Sequence, residues 1–93
     1  SNKLMILALR RSSLQRAQAR SSIWDKATLD ESTFLGASLA EAGFAKASCR
    51  GTIFSGADLT ASRLRRGSFR GASFLKSNLM TATLEGADLE GAD

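Results

Sequence analysis

The stretch Ala82-Thr83-Leu84-Glu85-Gly86-Ala87-Asp88-Leu89-Glu90-Gly91 is two near-copies of one five-residue unit: small, polar, leucine, acid, glycine. Followed upstream in steps of five, the leucine position reads Leu79, Phe74, Phe69, Leu64, Leu59, Phe54, Cys49, Phe44, Leu39, Phe34, Leu29 and Trp24. Twelve of these fourteen central positions are Leu or Phe, and all five Phe of the chain fall on them. The positions two residues earlier, from Ser22 to Ala87, are all Ala, Ser, Thr or Gly. Those four types fill 42 of 93 positions. Fourteen in register would then arise by chance on the order of once in 10^5, so the repeat is real.

A period of five suits neither common element. An amphipathic helix needs apolar residues three and four apart, and a half-buried strand needs them every second residue. At 3.6 residues per turn a step of five drifts about 140° round a helix, which leaves no apolar face. What the unit offers is one large and one small inward side chain, with three positions suited to turns and solvent. A chain that turns a corner every five residues makes a coil, and coils stack through backbone hydrogen bonds about 4.8 Å apart.

The units Ala57-Asp58-Leu59-Thr60-Ala61, Ala82-Thr83-Leu84-Glu85-Gly86 and Ala87-Asp88-Leu89-Glu90-Gly91 resemble the A(D/N)LXX motif of the pentapeptide-repeat family. The resemblance covers residues 22–93. It implies an all-β fold, a right-handed quadrilateral parallel β-helix with four repeats, or 20 residues, per coil. The central Leu or Phe and the small residue two before it would point inward. Glycines at the last repeat position, such as Gly36, Gly56 and Gly86, are then corner residues rather than a phosphate-binding loop. Asp58, Asn78 and Asp88 are expected to brace turns by hydrogen bonding.

Twenty residues per coil also sorts the central positions into consistent ladders. Leu14, Phe34, Phe54 and Phe74 form one, and Ala19, Leu39, Leu59 and Leu79 the next. The third is Leu4, Trp24, Phe44, Leu64 and Leu84, and the fourth Leu9, Leu29, Cys49, Phe69 and Leu89. Cys49 thus reads as a small buried hydrophobe, and Trp24 as a plug near the start of good repeats or a partner contact. Residues 1–21 fit less well. They are expected to form an irregular first coil or a short N-terminal helical cap. The chain opens on Ser1 and stops at Asp93 in mid-repeat, as a fragment of a longer protein would. An uncapped last coil would favour end-to-end association with another copy.

Composition narrows the function. There is no His, and Cys49 is the one cysteine, which removes His-based dyads, a disulfide framework and a cysteine-rich zinc site. We therefore expect no enzyme activity, no catalytic residue, no metal and no cofactor. The longest apolar run, Leu4 to Leu9, is far short of the roughly 20 residues of a membrane-spanning helix.

Charge is the informative departure. The net charge of +4 is blocky, with +6 over residues 43–76 and −4 over residues 77–93. Mapping by twenty puts Lys26, Lys46 and Arg66 in one outer column, flanked by Arg63 and Arg65, with Arg50 and Arg70 in the column beside it. These seven would share one edge, either as a solvated surface or as a face for an acidic partner. The best-known relatives are acidic DNA mimics that act on type II topoisomerases, and a basic edge cannot imitate phosphates. The expected function is a non-enzymatic scaffold for protein–protein interaction, in a bacterial cytoplasmic protein or a secreted effector. The alternative is electrostatic binding of nucleic acid or another polyanion along that edge.

Overall fold

The computed structural model of the chain describes residues 9–93. Twelve parallel bridges, from Ser13–Thr33 to Ser68–Asp88, each join residues twenty apart. Between successive bridge residues lies one turn, so each coil has four sides and four corners. We name the sides by a ladder residue: the Phe side (Leu14, Phe34, Phe54, Phe74), the Leu side (Ala19 to Leu79), the Trp side (Trp24 to Leu84) and the Cys side (Leu9 to Leu89). Residues 9–21 follow the same alternation of bridge and turn, and no helix occurs among the described residues. The helical-cap alternative therefore fails over residues 9–20, because Leu14 and Ala19 keep the register. Its part over residues 1–8 lies outside the described residues, as do Leu4 and the apolar run from Leu4 to Ala8.

Three inter-coil bonds and one turn bond recur in the units that have a described coil on both sides. On the Phe side the amide of Phe34 donates to the carbonyl of Ile53 at 2.7 Å, and the amide of Gly36 to Ser55 at 2.9 Å. The amide of Ile53 donates back to Ser32 at 3.0 Å, and the amide of Ala57 closes the corner onto the Phe54 carbonyl at 3.0 Å. This accounts for almost all of the backbone, as a fold with so little of it in helices or long strands requires. One amide per unit, just after the central residue, is left over. Asp58, Asn78 and Asp88 accept it at 3.0–3.1 Å, from Thr60, Met80 and Glu90. The turn-bracing role expected of these residues holds.

The third residue of each turn has positive φ at every corner. Six are glycines at 65–73°, and eleven are other residues at 57–65°, including the β-branched Thr81. Positive φ at that place alone marks the type II turn, which favours Gly. A residue with a Cβ costs roughly 1–2 kcal/mol there. The stacked core is what holds those eleven in place.

That core is filled with side chains. Phe34, Phe44, Phe54 and Phe69 are fully buried, with Leu29, Leu39, Leu59, Leu64 and Cys49. Rings stack along the Phe side, with centroids 5.3 Å apart for Phe34–Phe54 and 5.1 Å for Phe54–Phe74. Edge-to-face contacts cross the coil, Phe44–Phe54 at 5.6 Å and Trp24–Phe34 at 5.5 Å. Trp24 also stacks on Phe44 at 6.3 Å and donates its indole N–H to Ser22 Oγ at 2.6 Å. It is a half-buried rung of the ladder. Each buried Leu or Phe contributes roughly 1.5–3 kcal/mol.

Cys49 is wholly buried between Leu29 and Phe69. Burial, and secondarily the nearby Asp30 carboxylate, pushes its thiol well above the usual range, so the reactive thiolate is suppressed. A thiol reagent should label it slowly in the native protein and rapidly in denaturant. Equal rates in the two conditions would place the thiol outside the core.

Candidate functional site

Because the inward positions are filled, chemistry is confined to the outward ones. The corner between the Trp and Cys sides carries Lys26, Lys46 and Arg66, one above another. Their amides bond successively to Ala45, Arg65 and Glu85 of the next coil at 2.9–3.0 Å, which fixes the column. The three cations therefore rise at the coil spacing of about 4.8 Å. Arg65 lies just before this corner and Arg63 on the Trp side. Arg50 and Arg70 lie at the far end of the Cys side, where the next corner turns at Gly51 and Gly71, so five of the seven gather about one corner and these two stand at its neighbour.

They are not electrostatically equal. Arg65 bonds Glu85 at 2.8 Å, and Arg70 bonds Asp88 at 2.6 Å and Glu90 at 3.3 Å. The bond from Arg70 holds the Asp88 carboxyl below its ordinary range, with the Glu90 amide acting in the same direction. Such exposed pairs stabilise little and weaken with salt, but they cancel charge locally. Lys26, Lys46, Arg50, Arg63 and Arg66 make no ion pair among the described residues.

The reason lies in the carboxylates nearest to them. Asp25 Oδ1 accepts the Ala45 amide at 3.2 Å, and Asp30 Oδ1 accepts the Arg50 amide at 3.0 Å and the Ser48 hydroxyl at 2.7 Å. Both acids are engaged by the coil below, and Arg63 reaches the Glu41 carbonyl at 3.5 Å, so none of these five unpaired cations has a carboxylate partner among the described residues. A notch of about 310 Å³ lies among Ala45, Lys46, Arg65 and Arg66.

A second set of outward residues escaped the sequence reading. Leu35, Ile53, Leu75, Met80 and Ile23 are large apolar side chains between 40% and 70% exposed. They occupy bridge positions and first turn positions, where the unit ordinarily puts polar residues. Their signal is an apolar residue off the five-residue register. Among the described residues no three His, Cys, Asp or Glu are placed to hold a metal ion. None of the described residues forms a helix long and apolar enough to cross a membrane.

Comparison with known proteins agrees with this architecture. The family model described as pentapeptide repeats matches residues 25–60 and 57–93, with eight copies. A pentapeptide repeat protein of the Arabidopsis thaliana thylakoid lumen superposes with a TM-score of 0.61 at 22% identity, over 94% of this chain and 64% of that one. The present chain thus spans less than two thirds of that relative. The pentapeptide repeat protein Rfr23 of the cyanobacterium Cyanothece 51142 gives 0.58 at 15% identity, over 94% of this chain and 84% of that one. At such identities the likeness concerns the fold alone. No curated protein matches the sequence.

Proposed function

The chain belongs to the pentapeptide-repeat family, and from that premise we propose that it is a right-handed, four-sided, non-enzymatic scaffold that binds protein partners on its outer faces. The observation that supports this most is the set of exposed apolar side chains, Leu35, Ile53 and Leu75 among them. A polyanion does not need them, whereas protein interfaces bury such residues at their centres. A bacterial cytoplasmic or secreted-effector setting belongs to the same proposal. So does association through the last coil, where Leu84 and Leu89 are 38% and 40% exposed.

The unpaired column of Lys26, Lys46 and Arg66 favours a second reading, binding of nucleic acid or another polyanion. Without outward aromatic rings, such binding would be electrostatic and blind to sequence. One experiment separates the two. Proteins captured from cell extract by the parent chain should survive 200 mM salt and nuclease, and should be lost with Leu35→Ser/Leu75→Ser. Capture that instead vanishes between 50 and 200 mM salt, and with Lys26→Ser/Lys46→Ser/Arg66→Ser, would establish the polyanion reading and displace the first.

A further inference from the structure

The corner that follows the Phe side carries two cations with bare backbone between them. Its column reads Arg16, Gly36, Gly56, Lys76, so two adjacent coils lack a side chain at the corner. The column just before it reads Gln15, Leu35, Ser55, Leu75. All of these but Gln15 line a surface notch of about 440 Å³. Its floor is bare backbone, since a Cβ on Gly56 would meet no atom nearer than the Gly36 backbone at 3.9 Å. The stem of Arg16 lies over Gly36, 3.6 Å from where its Cβ would be.

Leu35 and Leu75 form the two walls, 41% and 57% exposed. They stand two coils apart, about 9.6 Å at the spacing of stacked strands. Ser55 is the rung between them, and its hydroxyl is occupied by Ser73 Oγ at 2.9 Å. One rung of an outer leucine ladder is therefore missing, and the gap has the width of one apolar side chain in contact with both neighbours. Arg16 and Lys76 stand above and below this gap. Neither makes an ion pair or a side-chain hydrogen bond among the described residues.

We propose that this notch docks an extended segment of a partner protein with the pattern acidic–x–apolar–x–acidic, the apolar side chain filling the rung over Ser55. The spacing supports it. Arg16 and Lys76 are three coils apart, about 14 Å. In an extended chain residues four apart are about 13 Å apart and lie on the same face as the residue midway between them. The segment runs along the helix axis, across the coils, with its carboxylates on Arg16 and Lys76 and its apolar residue between Leu35 and Leu75. Ser55 lies two coils from Arg16, about 9.6 Å, and one coil from Lys76, about 4.8 Å, and the long flexible stems of Arg16 and Lys76 absorb this offset of about 2–3 Å from the middle of the segment. This assignment rests on the protein-scaffold reading and gives that reading a partner chemistry.

The test uses a fluorescent peptide, Gly-Ser-Asp-Ser-Leu-Ser-Glu-Ser-Gly, titrated with the protein at 50 mM salt. The parent should bind saturably. Ser55→Leu supplies the missing rung from within, at a turn position where Leu35 and Leu75 already show that leucine fits. It should weaken binding roughly tenfold or more, as loss of one buried leucine implies, while the protein stays folded with a melt within a few degrees of the parent. Replacing the peptide leucine by alanine should do the same without touching the protein. Arg16→Ser/Lys76→Ser should weaken binding severalfold and flatten its salt dependence.

Absence of saturable binding up to 1 mM protein, or equal binding by parent and Ser55→Leu, overturns the proposal. So does a dimer, seen by light scattering, that Ser55→Leu dissolves, since a second copy would then be the occupant. If the peptide fails while capture from extract still depends on Leu35 and Leu75, the notch assignment falls and the scaffold reading stands.

Discussion

Phe54→Ala should remove about 3–5 kcal/mol of stability, the cost of emptying a fully packed aromatic site. Phe54 is wholly buried and touches four rings. Phe34 and Phe74 stack on its faces at 5.3 and 5.1 Å, and Phe44 and Phe69 approach at 5.6 and 6.1 Å. In a stacked array each coil contacts only its neighbours, so no distant packing compensates for a void in the middle. A thermal melt followed by circular dichroism should move down by about 10 °C or more. Leu84→Ala, at a 38% exposed rung, should move it far less. A Phe54→Ala melt within a few degrees of the parent would mean that the ring is not part of the core.

Gly67→Ala should also destabilise, by about 1–3 kcal/mol, the usual penalty for overpacking a core. The direction is not what the repeat suggests. Gly67 occupies the small inward position, where Ala is the commonest residue along the chain. In the structure an added Cβ would sit 2.5 Å from Phe69 Cε2, 2.9 Å from Cζ and 3.3 Å from the Phe44 carbonyl oxygen. That carbonyl is held by the Ala47 amide at 3.1 Å, and the Phe69 ring lies against Phe54 and Phe74 at 6.1 and 5.8 Å. Neither neighbour has room to withdraw. The midpoint of urea unfolding should fall, and Phe69→Leu combined with Gly67→Ala should recover part of the loss. A midpoint that stays or rises would show that the ring moves aside freely.

These two positions mark where the sequence can be read and where it cannot. Inward positions obey a size rule so strict that Phe34, Phe54 and Phe74 could be placed in one ladder before any coordinates. The same arithmetic put Cys49 in the interior and Lys26, Lys46 and Arg66 in a column. It could not show that Phe69 turns its ring towards Gly67, because rotamers depend on the coil above and the coil below. Nor could it show which cations are cancelled. Arg65 and Arg66 are adjacent in sequence, yet only Arg65 reaches Glu85, and Asp25 and Asp30 are drawn away by backbone amides. The outward leucines were legible in principle. Leu35 and Leu75 are twenty apart on either side of Ser55, but a search for the core passes over apolar residues off its register.

The bridges joining residues twenty apart also bear on how such a chain can change over generations. The interior obeys a rule of five, whereas every outer column obeys a rule of twenty. Insertion of one five-residue unit would leave each inward position correctly occupied and turn everything downstream by a quarter revolution. Inserted after Gly56, it would carry Leu75 and Lys76 to a different corner from Leu35 and Arg16, and would part Arg66 from Lys46. Insertion of twenty residues would lengthen the rod by one storey and keep every column in line. Small duplications in this architecture thus reshuffle what the surface displays with little effect on whether it folds, while whole-coil duplications extend an existing display.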